Sequence, residues 1–244
     1  YKGKLTSKWH PASASLTIGG SGSSGDYALA ITNVKFATTA ASTAPREITY
    51  NFGQGVYYNK ATDHYYKTFQ DPGIAWFSAV SECRKRVLYG LDGYLATVTS
   101  AQENAFLTSI GGAGWLGATD EWGEGEWRWM SGPELREDDD KGLNFWRGGG
   151  VERGGAAVNG AFNSWVGPNP TNDGGEPNNA GSNENYMVME VGGGWTDVSD
   201  DGTVRSYMCE WGGNGGEARF TLSGSATIEI AGCVPKDACS FYTG

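Results

Sequence analysis

Imidazole and thiol are scarce in this chain: two histidines and four cysteines are all that its 244 residues provide. His10 and His64 are isolated from each other, and neither sits in a pattern that suggests catalysis. Cys83 and Cys209 each stand alone, and Cys233 and Cys239 are six apart, which matches no zinc-ligand spacing. Basic residues are few as well, 18 Lys and Arg against 28 Asp and Glu, for a net charge of -10. That balance excludes nucleic acid and anionic membrane surfaces as natural partners and suits a cation. No apolar run approaches the ~20 residues of a bilayer span. No secretory leader is present either, and the chain opens at Tyr1 as a mature protein or a fragment would. An Asn-x-Ser/Thr acceptor is also missing, since Asn169 is followed by Pro170.

Glycine and tryptophan are plentiful, at 39 and 10, while only 19% of residues are charged. This is the composition of turn-rich β structure and not of a helical bundle. The length allows one large domain or two modest ones, with enough chain for a proper core. An even cysteine count without a metal pattern favours two disulfides and an oxidising compartment.

Along the chain, 13–18, 27–36 and 46–52 alternate apolar and polar residues, and so does 218–230. Half-buried strands at sandwich spacing are expected there. Residues 56–69 read as a hairpin about Asn59–Asp63. Over 73–88, Ile74, Phe77, Val80, Arg84 and Val87 recur at helical spacing, with Cys83 nearby. A short strand is expected at 94–98. Ser100 followed by Glu103 forms a capping-box signature for a second helix carrying Ala105, Phe106 and Ile110. Beyond Trp115 the chain is strand and loop, with a polar, glycine-rich excursion over 131–175 and short strands at 187–191, 195–198 and 206–211.

The stretch from Asn172 to Asp197 organises the rest. Its first half is too rich in Gly, Asn and Asp for a helix or a central strand. It offers Glu176, Asn178 and Glu184, with Asp197 beyond an apolar run, and all four present oxygen. Oxygen-only donors on irregular backbone suit a hard cation, Ca2+ before Mg2+. Loops are built from Asn, Asp and Gly in any case, so this set acquires weight only from the remainder of the chain. The run Glu137–Asp140 reads as a solvated loop tip. Trp115, Trp127, Trp129 and Trp195 read as core, whereas Trp146 and Trp165, in the excursion, are candidates to line a ligand surface.

Residues 56–212 carry an ordered set of motifs. They are Cys83, Gly-Tyr-Leu-Ala-Thr-Val, Ser-Ala-Gln-Glu-Asn, Trp-Leu-Gly-Ala from Trp115, Glu-Pro-Asn-Asn from Glu176, Glu184, Trp-Thr-Asp from Trp195, and Tyr-Met-Cys-Glu-Trp from Tyr207. This set resembles the C-type lectin-like fold, in its microbial form with a Glu-Pro-Asn motif. The flanks, with Leu-Thr-Ile-Gly-Gly and Asp-Tyr-Ala-Leu-Ala-Ile, resemble cadherin-like or immunoglobulin-like repeats of extracellular microbial proteins. The implied class is α+β: two helices, short antiparallel strands and a long structured loop, plus a partial β-sandwich. The implied domains are 1–53 and 213–244 as sandwich and 54–212 as lectin-like domain, with 46–52 pairing against 218–230 so that the lectin is an insertion.

The resemblance implies Ca2+ held by Glu176, Asn178, Glu184 and Asp197, completed by vicinal hydroxyls of a sugar. Thr196 stands where the family has Asn, a poorer ligand. The Glu-Pro-Asn order implies mannose, glucose or fucose type sugars, and Pro177 is expected to be cis. An auxiliary ion would use Asp120 and Glu124 with Asn179, Glu184 and Asn185. Disulfides Cys83–Cys209 and Cys233–Cys239 are expected, and the family's further inner bridge is missing, Tyr186 lying near one of its positions. The implied function is non-enzymatic: an extracellular lectin module of an adhesin or surface assembly, binding a glycan or glycoprotein and standing beside neighbouring copies, with no nucleic acid and no membrane insertion. A lectin-like scaffold without sugar binding is the second reading, and a glycoside hydrolase with paired carboxylates the last.

Overall fold

A computed structural model describes residues 5–10, 15–20, 24–38, 46–51, 55–88, 90–169, 174–215, 223–228 and 239–242. The chain forms two compact units, Asn51–Ser223 and a discontinuous one of Tyr1–Tyr50 with Gly224–Gly244.

In the discontinuous unit, Leu5–His10 pairs antiparallel with Ser15–Gly20, and Lys35–Thr38 with Cys239–Tyr242. Arg46–Asn51 pairs with Ser223–Ile228. The all-β reading of 27–36 is corrected: Ser24–Thr32 is a helix (α1), and the strand begins only at Lys35. The alternation of Tyr27, Leu29 and Ile31 is filled in by Ala28 and Ala30, strong helix formers that erase the period of two. Asp26 lies in the first turn, where the helix dipole favours a carboxylate. At the other end Thr32 Oγ1 and Asn33 Nδ2 donate to the Leu29 carbonyl at 3.0 and 2.7 Å. The expected Cys233–Cys239 bridge lies outside the described residues.

In Asn51–Ser223, Trp76–Arg84 is a helix (α2) that buries Trp76, Ala79, Val80 and Cys83, the i, i+3, i+4, i+7 stripe of a packed helix. Ala101–Ser109 is the second helix (α3), and Ser100 Oγ accepts from Glu103 N–H at 3.2 Å. The reciprocal half of the capping box differs from expectation. The Glu103 carboxylate takes the N–H of Thr99, at 2.8 Å, in place of that of Ser100. The inward face of α3 is therefore Glu103 and Leu107, with Phe106 and Ile110 half-buried and Ala105 exposed.

The sheet runs in the order Ala156–Ala157, Leu143–Arg147, Glu126–Trp129, Gly114–Thr119, Ser206–Trp211, His64–Gln70 and Tyr57–Asn59. Tyr186–Met189 also pairs with Gly114–Thr119, and Leu91–Leu95 with Ser206–Trp211. The expected strand at 94–98 thus lies a few residues earlier. Every residue of the two central strands is buried. Their start demands Gly114: at φ 109° it lies in the left-handed region, and a Cβ there would strike Ser206. Three buried indoles of the sheet region donate to backbone carbonyls. Trp76 Nε1 donates to the Leu116 carbonyl and Trp115 Nε1 to that of Ile74, both at 2.8 Å. Trp211 Nε1 donates to the Arg86 carbonyl at 2.9 Å.

Cys83 on α2 and Cys209 on the central strand form the expected disulfide, across 126 residues of sequence. Closing so long a loop is worth about 5 kcal/mol in chain-entropy terms. The double variant C83A/C209A should therefore unfold at markedly lower urea than the wild type. An unchanged midpoint would show that the bridge does not stabilise the fold.

Candidate cation and glycan site

The loop bearing Glu176 is carried by a backbone relay. Trp195 N–H donates to the Ser164 carbonyl at 2.8 Å, Val166 N–H to that of Trp195 at 3.0 Å, and Glu176 N–H to that of Val166 at 2.8 Å. Glu176 is nearly buried and its bond to Pro177 is cis, as the motif led one to expect. Asn178 Nδ2 donates to both Glu176 carboxylate oxygens, at 2.8 and 2.7 Å. Asp197, 3% exposed, accepts the N–H of Asn178 at 2.8 Å and of Asn179 at 2.7 Å. The structure thus gathers Glu176, Asn178 and Asp197.

Glu184 is tied to the same turn. Its carboxylate accepts Ala180 N–H at 2.7 Å, and its own N–H donates to Asn179 Oδ1 at 3.2 Å. The Asn185 carbonyl accepts from Thr119 Oγ1 at 2.7 Å and from Asp120 N–H at 3.3 Å, which brings the Asp120 turn alongside. A cavity of about 270 Å3 is lined by Glu124, Asn178, Asn179 and Asp197, with Trp127, Pro177 and Arg153 among its walls. Thr196 is the outlier. On the strand Trp195–Val198 burial alternates, Trp195 and Asp197 buried, Thr196 and Val198 half-buried. Alternation sends Thr196 to the face opposite Asp197.

Charge in this region is out of balance. Asp120 Oδ2 accepts Gly125 N–H at 2.8 Å, but Oδ1 is buried without a hydrogen-bond partner. Burial, followed by the charges of Glu124 and Asp197, pushes the Asp120 carboxyl up to about 7. Burial and then Asp197 and Asp201 raise Glu184. An orphaned carboxylate oxygen beside further carboxylates, with no imidazole or thiolate among them, is a donor set fitted to a hard divalent cation.

Two readings of side chains are corrected here. Trp146 belongs to the core, and Trp165 is half-buried and packs against it. Trp146 is buried, donating from Nε1 to the carbonyls of Gly148 and Gly149, and Trp165 packs between Trp127 and Trp195 at 4.9 and 6.1 Å. Nor is His64 isolated. Its Nδ1 pairs with the buried carboxylate of Glu210, and the Tyr66 hydroxyl lies 2.6 Å from Glu103 and 3.0 Å from Glu210. Among the described residues, His64, Glu103 and Glu210 are the group whose ligand atoms lie within 4.8 Å of one another. Glu210 also takes Thr97 N–H at 3.0 Å, and Glu134 takes Thr97 Oγ1 at 2.9 Å. With these oxygens already served by donors, the cluster is a proton-sharing network that clamps α3 to the sheet. Sequence missed it because Glu210 lies 146 residues from His64.

The network has a pH signature. Burial, then the Glu210 charge, pushes Glu103 and Glu134 each up to about 7. Burial opposes charging of His64, yet the Glu210 hydrogen bond and charge outweigh it and raise its pKa. The two raised carboxyls mean that the folded state holds more protons than the unfolded one between the ordinary carboxylate range and about 7, and the raised His64 adds to that excess only from its ordinary value of 6.5 upward. Stability is therefore greatest at the acid side of that window and falls as pH rises through it. In chelator-containing buffer, the melting temperature should drop by on the order of 5 °C between the ends of the window, and E103Q should flatten the profile. A wild-type profile that rises with pH would refute this assignment.

Comparison with known proteins places this geometry. The family model for the lectin C-type domain matches residues 73–211. Halomucin of Haloquadratum walsbyi is 33% identical over 169 residues, 68% of this chain but 2% of that protein. The hepatic lectin of Gallus gallus is 26% identical over 127 residues, 51% of this chain and 44% of its own length. The chain thus spans less than half of either relative. Among solved structures, the C-type lectin CEL-I of Cucumaria echinata is 22% identical with a TM-score of 0.45, covering 66% of this chain and 96% of that one. A match of the family model across more than half of the chain assigns it: the chain belongs to the C-type lectin domain family.

Proposed function

We propose that Asn51–Ser223 is a Ca2+-dependent glycan-binding module for mannose-, glucose- or fucose-type sugars. Homologues in the family are non-enzymatic carbohydrate-binding proteins. The observation that carries the reading is the joined set of Glu176 and Asn178 on the loop and Asp197 on the adjoining strand, beside an Asp120 that keeps a buried oxygen without a partner. Glu176, Asn178, Glu184 and Asp197 would hold the principal ion, and Asp120, Glu124, Asn179, Glu184 and Asn185 an auxiliary one. Ca2+ held by these residues would supply a Lewis-acidic centre for vicinal sugar hydroxyls. Glu176 and Asn178 are complementary toward such hydroxyls, the carboxylate accepting a hydrogen bond and the amide N–H donating one. Asp197 holds both backbone amides of Asn178 and Asn179, so it fixes the distance between the loop and the strand.

The surroundings follow from the same reading. The Cys83–Cys209 bridge suits an oxidising, extracellular location. Pairing of Arg46–Asn51 with Ser223–Ile228 supports a lectin domain of 54–212 inserted into the flanking unit, as in an adhesin or surface assembly of neighbouring copies. A scaffold role without sugar is the second reading, favoured by the position of Thr196 on the opposite face from Asp197.

Calorimetry should give a Ca2+ affinity on the order of 10⁻⁴–10⁻³ M, the range of extracellular modules. E176Q and D197N should each weaken it by at least about tenfold, since each removes one anionic ligand. A glycan array should lose its signal in chelator. Ca2+ heat that survives both substitutions, with no chelator-sensitive glycan, would establish the scaffold reading instead.

A further inference from the structure

A second cavity, of about 520 Å3, shares no lining residue with the one beside the Glu-Pro-Asn turn. It opens where three segments meet. Arg84 ends α2, and the disulfide at Cys83 anchors that end to the sheet. Strand Leu91–Leu95 presses against it through Gly93, where a Cβ would strike the carbonyls of Cys83 and Arg86. The turn Pro133–Arg136 brings Arg136 from the other side. It closes on the Tyr94 ring because Gly132, at φ 59°, has no side chain to hold it off. Tyr94 is itself fixed, its hydroxyl donating to the Gly212 carbonyl at 2.8 Å.

Two guanidiniums thus reach one cavity from different elements. Arg86, Arg128 and Arg147 each stand within ion-pair reach of a carboxylate. Arg84 and Arg136 are exposed, and among the described residues their side chains form no ion pair or hydrogen bond. Asp92 is the one carboxylate among the described lining residues, so cations lead two to one here, against 18 to 28 in the whole chain. The helix dipole favours a cation at the end of α2, which accounts for Arg84 but not for a second guanidinium arriving from another segment. Guanidinium forks match sulfate and phosphate oxygens better than hydroxyls. The volume exceeds what a bare ion needs and lies in the range of small-molecule sites. Tyr94 is 4% exposed and offers no open ring face for a base, and the rest of the lining is largely glycine backbone, which suits a hydrated ligand.

We propose that this cavity is a second ligand site, separate from the candidate Ca2+ loop, for a sugar carrying a sulfate or phosphate ester. Arg84 and Arg136 would hold the ester oxygens, and no divalent cation is required.

The test is calorimetry on the whole chain in chelator-containing buffer. The probes are glucose 6-sulfate, glucose 6-phosphate, glucose, inorganic sulfate and inorganic phosphate. Wild type should bind at least one ester on the order of tenfold more tightly than glucose, by a margin that shrinks as salt is raised. Which ester gains identifies the anion. Free sulfate and phosphate should bind more weakly than the esters, since they leave most of the cavity unfilled. R84Q and R136Q should each lower ester affinity on the order of tenfold, while Ca2+ heat and melting temperature stay at wild-type values. R84K and R136K keep the charge without the fork and should fall between, and they replace the glutamine variants if either fails to fold. Esters that bind no better than glucose, or unchanged ester affinity in both arginine variants, would overturn the inference. Free anions binding as well as the esters would reduce the site to an ion site and overturn the sugar assignment. Ester binding that needs Ca2+ and is lost in E176Q would assign it to the loop instead. None of these failures touches the Ca2+-dependent glycan reading, which is measured in Ca2+ buffer at other residues.

Discussion

The site depends on one carboxylate bridging a strand and a loop. Asp197 sits on a strand registered against Tyr186–Met189, and it is nine-tenths and more withdrawn from water. Its two oxygens take the N–H groups of consecutive residues on the other side of the cavity. Charge-assisted bonds to backbone amides are stronger than neutral ones, and burial leaves water unable to compete for them. A segment too rich in glycine and asparagine to hold a shape by itself thereby acquires one. The strand is in turn fixed by Trp195, whose Nε1 donates to Asn104 on α3 at 2.9 Å and whose ring meets Trp129 edge-on at 5.7 Å. Displacing that indole would move Asp197, and with it the loop.

Negative charge is spent in two separate places with different outcomes. In the loop, carboxylates face a cavity and one buried oxygen lacks a donor, an arrangement that favours a cation. Beneath α3, the carboxylates of Glu103, Glu134 and Glu210 are surrounded by Thr97, Thr99, Tyr66 and His64, and protons settle the charge. The difference lies in access and in donors, since both sites hold acidic side chains withdrawn from water.

Much of the lectin unit was legible in the sequence because its signals are local. The hairpin about Asn59–Asp63 and the Ser100 cap each depend on residues within a few positions of one another, whereas the expected stripe on α2 was misplaced: Phe77, Arg84 and Val87 are exposed, and Trp76, Ala79, Val80 and Cys83 are the buried face. What escaped was set by tertiary structure or by competing propensities. Ala28 and Ala30 turned an apparent strand into α1. The partner of His64 lies on the neighbouring strand but 146 residues away in sequence. Trp146 and Trp165 lie in a polar excursion, yet the excursion folds back over the sheet, taking Trp146 into the core and packing the half-buried Trp165 against it. The candidate site was legible as a list of oxygen donors. Its division into a clasped group and a Thr196 facing away required the strand register.

The pairing of Arg46–Asn51 with Ser223–Ile228 has a mechanical meaning. Tension applied along the flanks meets this ladder before it can reach any residue between its two strands. Load would pass across the ladder while the intervening 170-odd residues stay slack, and the Cys83–Cys209 bridge would limit extension if the ladder opened. Under tension between the flanks, that slack segment would keep its geometry until the paired strands part.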